Sequence, residues 1–181
     1  HTQGSLINTG NSLDISIEGD GFFQILLPDG RVGYTRSGAF SRNAEGTVVT
    51  ASGYPLQPEI TIPPEALSIN IASDGIVTVQ VPGAVDAEEV GQITLADFPN
   101  RQGLQPNGES MLMESPASGA PIVAAPFEEG MGRTVQGSLE SSNVNVVQEL
   151  VDMIETQRAY EVSSKTITSV DEMMRYLAQN V

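Results

Sequence analysis

Cysteine and tryptophan are absent from this chain of 181 residues, and histidine and lysine occur once each, at His1 and Lys165. Without thiols there is no disulfide, no thiolate nucleophile and no Cys/His zinc site. With its imidazole at the first residue the chain offers no Ser/His/Asp set, and it has no Gly-x-Ser-x-Gly elbow. Positive charge is the next scarcity: 8 Lys and Arg stand against 23 Asp and Glu, for a formal net charge of -15 and a pI near 4.1. Phosphate surfaces are bound through clustered Lys and Arg that release counterions, so a chain of this sign is not a nucleic-acid binder and does not seek anionic lipid. No apolar run approaches the ~18 residues of a membrane span, so no membrane insertion is expected. The start at His1 has no Met, no basic n-region and no apolar h-region, and the expectation is that an upstream segment has been removed. The lack of cysteine fits an exported protein.

What is present is punctuation. Glycine at 18 positions and proline at 11 cut short β-branched runs from Leu13 to about Phe98, with turn dipeptides Asp20-Gly21, Asp29-Gly30, Glu45-Gly46 and Asp74-Gly75. Phe22 to Leu27, Pro28-Asp29-Gly30 and Val32 to Arg36 read as a hairpin, because Asp-Gly supplies the positive φ of a tight turn. Ile69 to Ile71 pairs in the same way with Ile76 to Val81, and the whole reads as a body of local hairpins. Phe22, Phe23, Tyr34, Phe40 and Tyr54 are expected to be core residues on strands. The stretch Pro99 to Gly132, rich in breakers, reads as surface loops around one short strand, Met111 to Glu114.

After Glu140 the remaining 41 residues contain no Gly or Pro. Asn145 is placed to cap a helix, with Gln148 closing a capping box, and the helix runs to about Gln179, roughly 50 Å at 1.5 Å per residue. Steps of seven give Val146, Met153, Tyr160, Ile167, Met174 and Val181, and Leu150, Val170 and Leu177 lie on the same side. That periodicity describes a coiled-coil-like seam. Met153, Met173 and Met174 suit a seam that adapts to more than one neighbour. An amphipathic helix lying across its own body is the alternative, but a body of roughly 140 residues is only about 30 Å across, so a helix of this length projects and its outer turns need a partner. The expected fold class is therefore mainly β with one long C-terminal α-helix: a β-hairpin or barrel-like domain plus a projecting coiled-coil helix. The expected boundaries are a connecting stem at 1–12, a β-rich outer domain at 13–133, a return strand and linker at 134–144, and an axial helix at 145–181.

An internal echo, Gln3-Gly4-Ser5-Leu6 and Gln136-Gly137-Ser138-Leu139, is either chance or two segments lying side by side that bring both ends of the body to one stem. Asp14, Glu18 and Asp20 do not have calcium-loop spacing and read as a solvated strand edge. Glu88-Glu89 and Glu128-Glu129 read as solvated charge rather than an acid/base pair. Gly19-Asp20-Gly21-Phe22-Phe23 precedes a strand rather than a helix and cannot seat phosphate on a helix N-terminus. No catalytic residue, metal ligand or cofactor is expected.

Gly10-Asn11-Ser12-Leu13-Asp14-Ile15, Gly19-Asp20-Gly21-Phe22-Phe23 and Tyr34-Thr35-Arg36-Ser37-Gly38-Ala39-Phe40 resemble the β-domain signatures of the bacterial flagellar rod and hook proteins. Ser142-Asn143-Val144-Asn145, Glu149-Leu150-Val151-Asp152-Met153-Ile154 and Gln157-Arg158-Ala159-Tyr160-Glu161 resemble their C-terminal helix. Gln24 to Gly30, Pro58 to Pro63, Asn145 and Glu161 favour the distal-rod branch over the hook branch. Ser163 departs from that branch, where Asn is usual, and the family's N-terminal helix and Asn-rich segment have no counterpart before His1.

The resemblance implies a structural subunit of a hollow helical shaft, with terminal helices in an inner tube and the β domain outside. The implied partners are other copies (a homo-oligomer), other rod proteins, the hook protein and surrounding basal-body rings. The implied location is the periplasm up to the outer membrane, reached by the flagellum's own secretion apparatus. Val146, Leu150, Met153, Ile154, Tyr160, Ile167, Val170, Met174 and Leu177 are then the packing residues, with Asn145 and Gln148 as the cap. A secreted β-rich binding module with a helical dimerisation stalk is the rival reading.

Overall fold

The structure is a computed structural model that describes residues 3–84, 86–143 and 146–179, with helix side chains described at 150–168, 170 and 175. Among these residues are sixteen strands, one 3-10 turn and one α-helix. The chain divides into two compact units, His1–Ser142 and Asn143–Val181.

The hairpin across Pro28-Asp29-Gly30 forms as its turn chemistry dictates. Strand β1 is Leu6–Asn8, β2 Ile15–Glu18, β3 Phe22–Leu26 and β4 Val32–Thr35. β3 and β4 pair in antiparallel register from Phe23↔Thr35 to Leu26↔Val32. Gly30 sits at φ 82°, and the Asp29 carboxylate accepts the Arg31 N–H at 3.0 Å. β5 (Phe40–Arg42) and β6 (Val48–Thr50) form a second hairpin, and β7 is Leu56–Gln57. β8 (Ser68–Ile71) and β9 (Ile76–Gln80) pair across Asp74-Gly75 as expected, and β10 (Glu88–Gln92) adds to β9. β11 is Leu95–Asp97.

Pro99 to Gly132 contains the expected strand at Met111 but is more than loops around it. It carries β12 (Gln105–Gly108), β13 (Met111–Met113) and β14 (Ile122–Ala124). All three belong to the main sheet, ordered β12-β13-β4-β3-β11-β14 with β7 also on β3. Leu104, Met111, Met113 and Met131 are buried. Nor are the pairings only local. β2 pairs with β15 (Arg133–Gln136), and β1 with β16 (Ser138–Glu140).

β3 is buried on both faces, and its period of two splits the aromatic pair. Phe23 enters the main core with Ile15, Ile25, Phe40, Leu56 and Leu95. Phe22 joins Tyr34, Ala96, Phe98 and Leu104 on the other side. Phe23 meets Phe40 edge to face at 5.2 Å, and Tyr34 meets Phe98 at 4.7 Å. Tyr54 is only half-buried and lies outside the strands.

Of the acidic run at 14, 18 and 20, Glu18 and Asp20 are exposed as a solvated edge requires, but Asp14 is not. Asp14 is buried at 8% exposure, and its carboxylate accepts the Thr9 hydroxyl at 2.5 Å and the Asn11 amide at 2.9 Å. Glu18 pairs with Arg133 and Asp20 with Arg101, each at 2.6 Å. Arg101 also grips Asp97 with two 2.6 Å hydrogen bonds. Those hydrogen bonds hold the Asp97 carboxyl below its ordinary range despite partial burial, and the two carboxylates push the Arg101 guanidinium upward.

Two outcomes are expected. Gly38 lies against β2, where an added Cβ would overlap the Ile15 carbonyl oxygen. Gly38→Ala should therefore destabilise the body by about 3 kcal/mol, read from denaturant unfolding. A depressed folded-state carboxyl contributes stability above its unfolded pKa and loses it as pH falls through the folded value. Asp97→Asn should thus cost about 1 kcal/mol near neutral pH and nothing in strong acid, where the two unfolding curves converge.

Candidate assembly interface

Both ends of the β body meet in the β1/β16 ribbon, in register Leu6↔Glu140, Ile7↔Leu139 and Asn8↔Ser138. Both segments of the echo thus adjoin this ribbon, but they are offset: no residue of 3–6 pairs with one of 136–139. The echo's glutamines do matching work on the main chain. The Gln3 side chain donates to the Ile17 carbonyl at 3.1 Å and accepts the Gly19 N–H at 3.3 Å. The Gln136 amide donates to the Ser12 and Ile69 carbonyls at 2.8 and 3.0 Å and accepts the Ile71 N–H at 3.1 Å. Gly137, at φ 73°, receives hydrogen bonds from the N–H groups of Thr9 and Gly10 and donates its own to the Asp14 carbonyl at 2.7 Å.

One arginine ties this ribbon to the body. Arg36 Nε donates to Glu140 at 2.8 Å. Its Nη1 reaches the carbonyls of Gly19 and Gly21 at 3.1 and 3.0 Å, and its Nη2 those of Ile17 and Gly19 at 3.2 and 3.1 Å. The other Glu140 oxygen accepts the Gly4 N–H at 2.8 Å. Side-chain exposures of 22% and 11% place this pair in a low-dielectric setting, where charge-assisted bonds are strong and an orphaned partner is costly. In sequence Arg36 stood out only inside a family motif, because its partners lie up to 104 residues away. The small cleft of about 80 Å³ lined by Gln3, Gly19–Phe22, Arg36 and Arg101 is filled with these internal bonds and offers no free charged group.

The helix α1 spans Val146–Gln179, 34 residues without interruption. A seven-residue step turns an α-helix by 700°, about 20° short of two turns, so Met153, Tyr160 and Ile167 lie along one slowly drifting line. Exposures there are 57%, 77% and 68%, and Leu150, Ile154 and Val170 stand at 51%, 49% and 51%. Val151 and Val162, outside the predicted seam, are also exposed at 43% and 65%. They sit roughly 160° and 180° round the axis from Met153. Large apolar side chains therefore stand exposed on opposite faces of the helix rather than on a single stripe. The Thr156, Thr166 and Thr168 hydroxyls bond back to the carbonyls of Asp152, Val162 and Ser164 at 2.8, 2.8 and 3.2 Å, so their polar groups need no outside partner. The cap residue Asn145 lies outside the described residues, as do the side chains of Val146, Gln148, Met174 and Leu177.

The two surfaces respond differently to substitution. Arg36→Ala should lower the stability of the isolated chain by about 3 kcal/mol. Ile167→Asp, on an exposed face, should change it by no more than about 0.5 kcal/mol. Denaturant unfolding of both variants checks the contrast.

Comparison with known proteins bears on what such a helix joins. The flagellar hook protein FlgE/F/G D1 domain matches residues 16–79, and the C-terminal region of the flagellar basal body rod FlgEFG proteins matches residues 135–180. The chain is 48% identical to the flagellar basal-body rod protein FlgG of Buchnera aphidicola (subsp. Schizaphis graminum) over 179 residues, covering 99% of the chain and 69% of that relative. Within one organism, Caulobacter vibrioides, it is 45% identical to FlgG, over 98% of the chain and 68% of the relative. It is 34% identical to FlgF there, over 96% and 67%. The chain belongs to the flagellar basal-body rod protein family, in its FlgG branch, and is a structural subunit of the flagellar rod.

Proposed function

We propose that this chain builds the distal rod as a hollow helical shaft, in which α1 packs against the helices of neighbouring copies and the β body forms the outer layer. The observation that carries this reading is the row of large apolar side chains, Leu150 to Val170, exposed along an unbroken helix. At about 25 cal/mol per Å² of apolar surface, covering such a row is strongly favourable, and only repeated neighbours can cover opposite faces at once. Contacts that repeat head to tail without closing generate a tube, and many parallel contacts make it stiff enough to pass torque to the hook. Other rod proteins and the hook protein meet its two ends, and basal-body rings surround its periplasmic span. The subunit reaches that place through the flagellar secretion apparatus and does no chemistry.

The acidic outer surface fits rotation inside a ring. Of the body's arginines, Arg31, Arg36, Arg101 and Arg133 are held in ion pairs with the body's own carboxylates. The excess acids are therefore left to repel, over a Debye length of roughly 8 Å at physiological salt.

Ile167→Asp buries an unpaired charge in every copy-to-copy contact, at a cost of a few kcal/mol each. Cells carrying it should lack full-length rods and should not swim, as seen in isolated basal bodies and on soft agar. Full-length rods with normal swimming would show that this face is not an interface.

A further inference from the structure

Among the described residues, strands β1 and β14 each leave an edge that is unpaired and undefended. Among the described residues β1 has only β16 beside it, and its Leu6 and Ile7 are 37% and 54% exposed. β14 ends the main sheet, with Ile122 and Val123 at 48% and 49% exposure. Exposed edges are normally blunted by charge, proline or a bulge. Two others here are: β10 presents Glu88, Glu89 and a bulge between Glu89 and Gly91, and β12 carries Pro106 and a bulge between Pro106 and Gly108. β1 and β14 contain no charge, no proline and no register shift. Each also lies in an uncharged window, residues 3–13 and 115–127, on a chain of net charge -15. Copies that repel one another elsewhere can approach at these windows.

We infer that β14 of one copy pairs edge to edge with β1 of the next, an inference that rests on the shaft reading. The two edges are different surfaces, so each copy offers β14 to one neighbour and β1 to another. That is a heterologous contact, and it extends as a helical array instead of closing as a dimer. Pairing β14 with itself would close after two copies. Strands of three residues do not hold two chains together alone. Within a shaft the helix contacts supply the effective concentration that lets them form. Phe127, 61% exposed at φ 70°, adds an apolar side chain three residues beyond β14.

The absence of cysteine makes the test clean. Ile7→Cys is combined with Val123→Cys, or with Ile122→Cys to catch the other register, in cells that build shafts. After mild oxidation the shafts are dissolved in denaturant. A disulfide requires Cβ atoms within about 4.5 Å, so a paired edge gives a ladder of covalent multimers from the double variant, and none from either single variant. Monomer alone from shafts that contain the chain overturns the pairing and leaves the shaft reading standing. Dimers from Val123→Cys alone replace it with β14 self-pairing. Shafts that lack the wild-type chain overturn the shaft reading itself. A charge pair gives an independent check: Ile7→Lys should shorten shafts, and Val123→Glu in the same chain should restore their length, whereas no shortening or no restoration contradicts the pairing.

Discussion

The bond between Arg36 and Glu140 is the constraint on which the rest of the β body's geometry turns. Glu140 is the last residue of β16, the strand that ends the body, and its second oxygen holds Gly4 ahead of β1. Arg36 comes from the end of the central hairpin and spends its remaining donors on the Ile17 carbonyl of β2 and the Gly19 and Gly21 carbonyls of the β2–β3 turn. One guanidinium thus fixes the entry of the chain, its exit and the turn that leads into the most buried strand. Five planar donors in a rigid fork suit this task, and a lysine would satisfy only part of it. The glycines at 19, 21 and 38 follow from the same crowding, since each lies where backbone approaches backbone or a core side chain.

The charge arrangement and the helix divide the work between the two units. In the body, four of the five arginines are consumed by internal pairs, so most of the surplus carboxylates are left at the surface without a cation. In the helix the surplus is apolar, with hydroxyls turned back on their own carbonyls. A subunit that repels its surroundings at one surface and seeks apolar cover at another is suited to an ordered array, because only the correct contacts overcome the repulsion.

The local grammar was legible in the sequence, and the long-range pairing was not. Asp29-Gly30 and Asp74-Gly75 set their hairpins because a turn that needs positive φ is written in adjacent residues. The helix was legible because no Gly or Pro interrupts it, and the echo of Gln3 and Gln136 marked the two segments that adjoin the β1/β16 ribbon, though not its register. Within Pro99 to Gly132 the strand at Met111 was legible, but β12 and β14 were not, because both are short and the partner of β14, β11, lies outside that stretch. Asp14 read as solvated because a carboxylate in a polar run carries no mark of burial; its side chain is held by Thr9 and Asn11 nearby, and its carbonyl by Gly137 from the far end of the body. Arg36 stood out only within a family motif, since its role depends on Glu140. On the helix, the seven-residue step picked out one line of exposed residues and passed over Val151 and Val162, which a single-seam pattern cannot include.

The most direct measurement is backbone amide hydrogen exchange over residues 150–170 in assembled shafts, compared with the free chain. Helices covered by neighbouring copies exchange slowly on every face, so protection across this span on assembly, around Val151 and Val162 as well as Tyr160 and Ile167, is the predicted result. Exchange as fast in the shaft as in the free chain would contradict the claim that α1 is where the copies join.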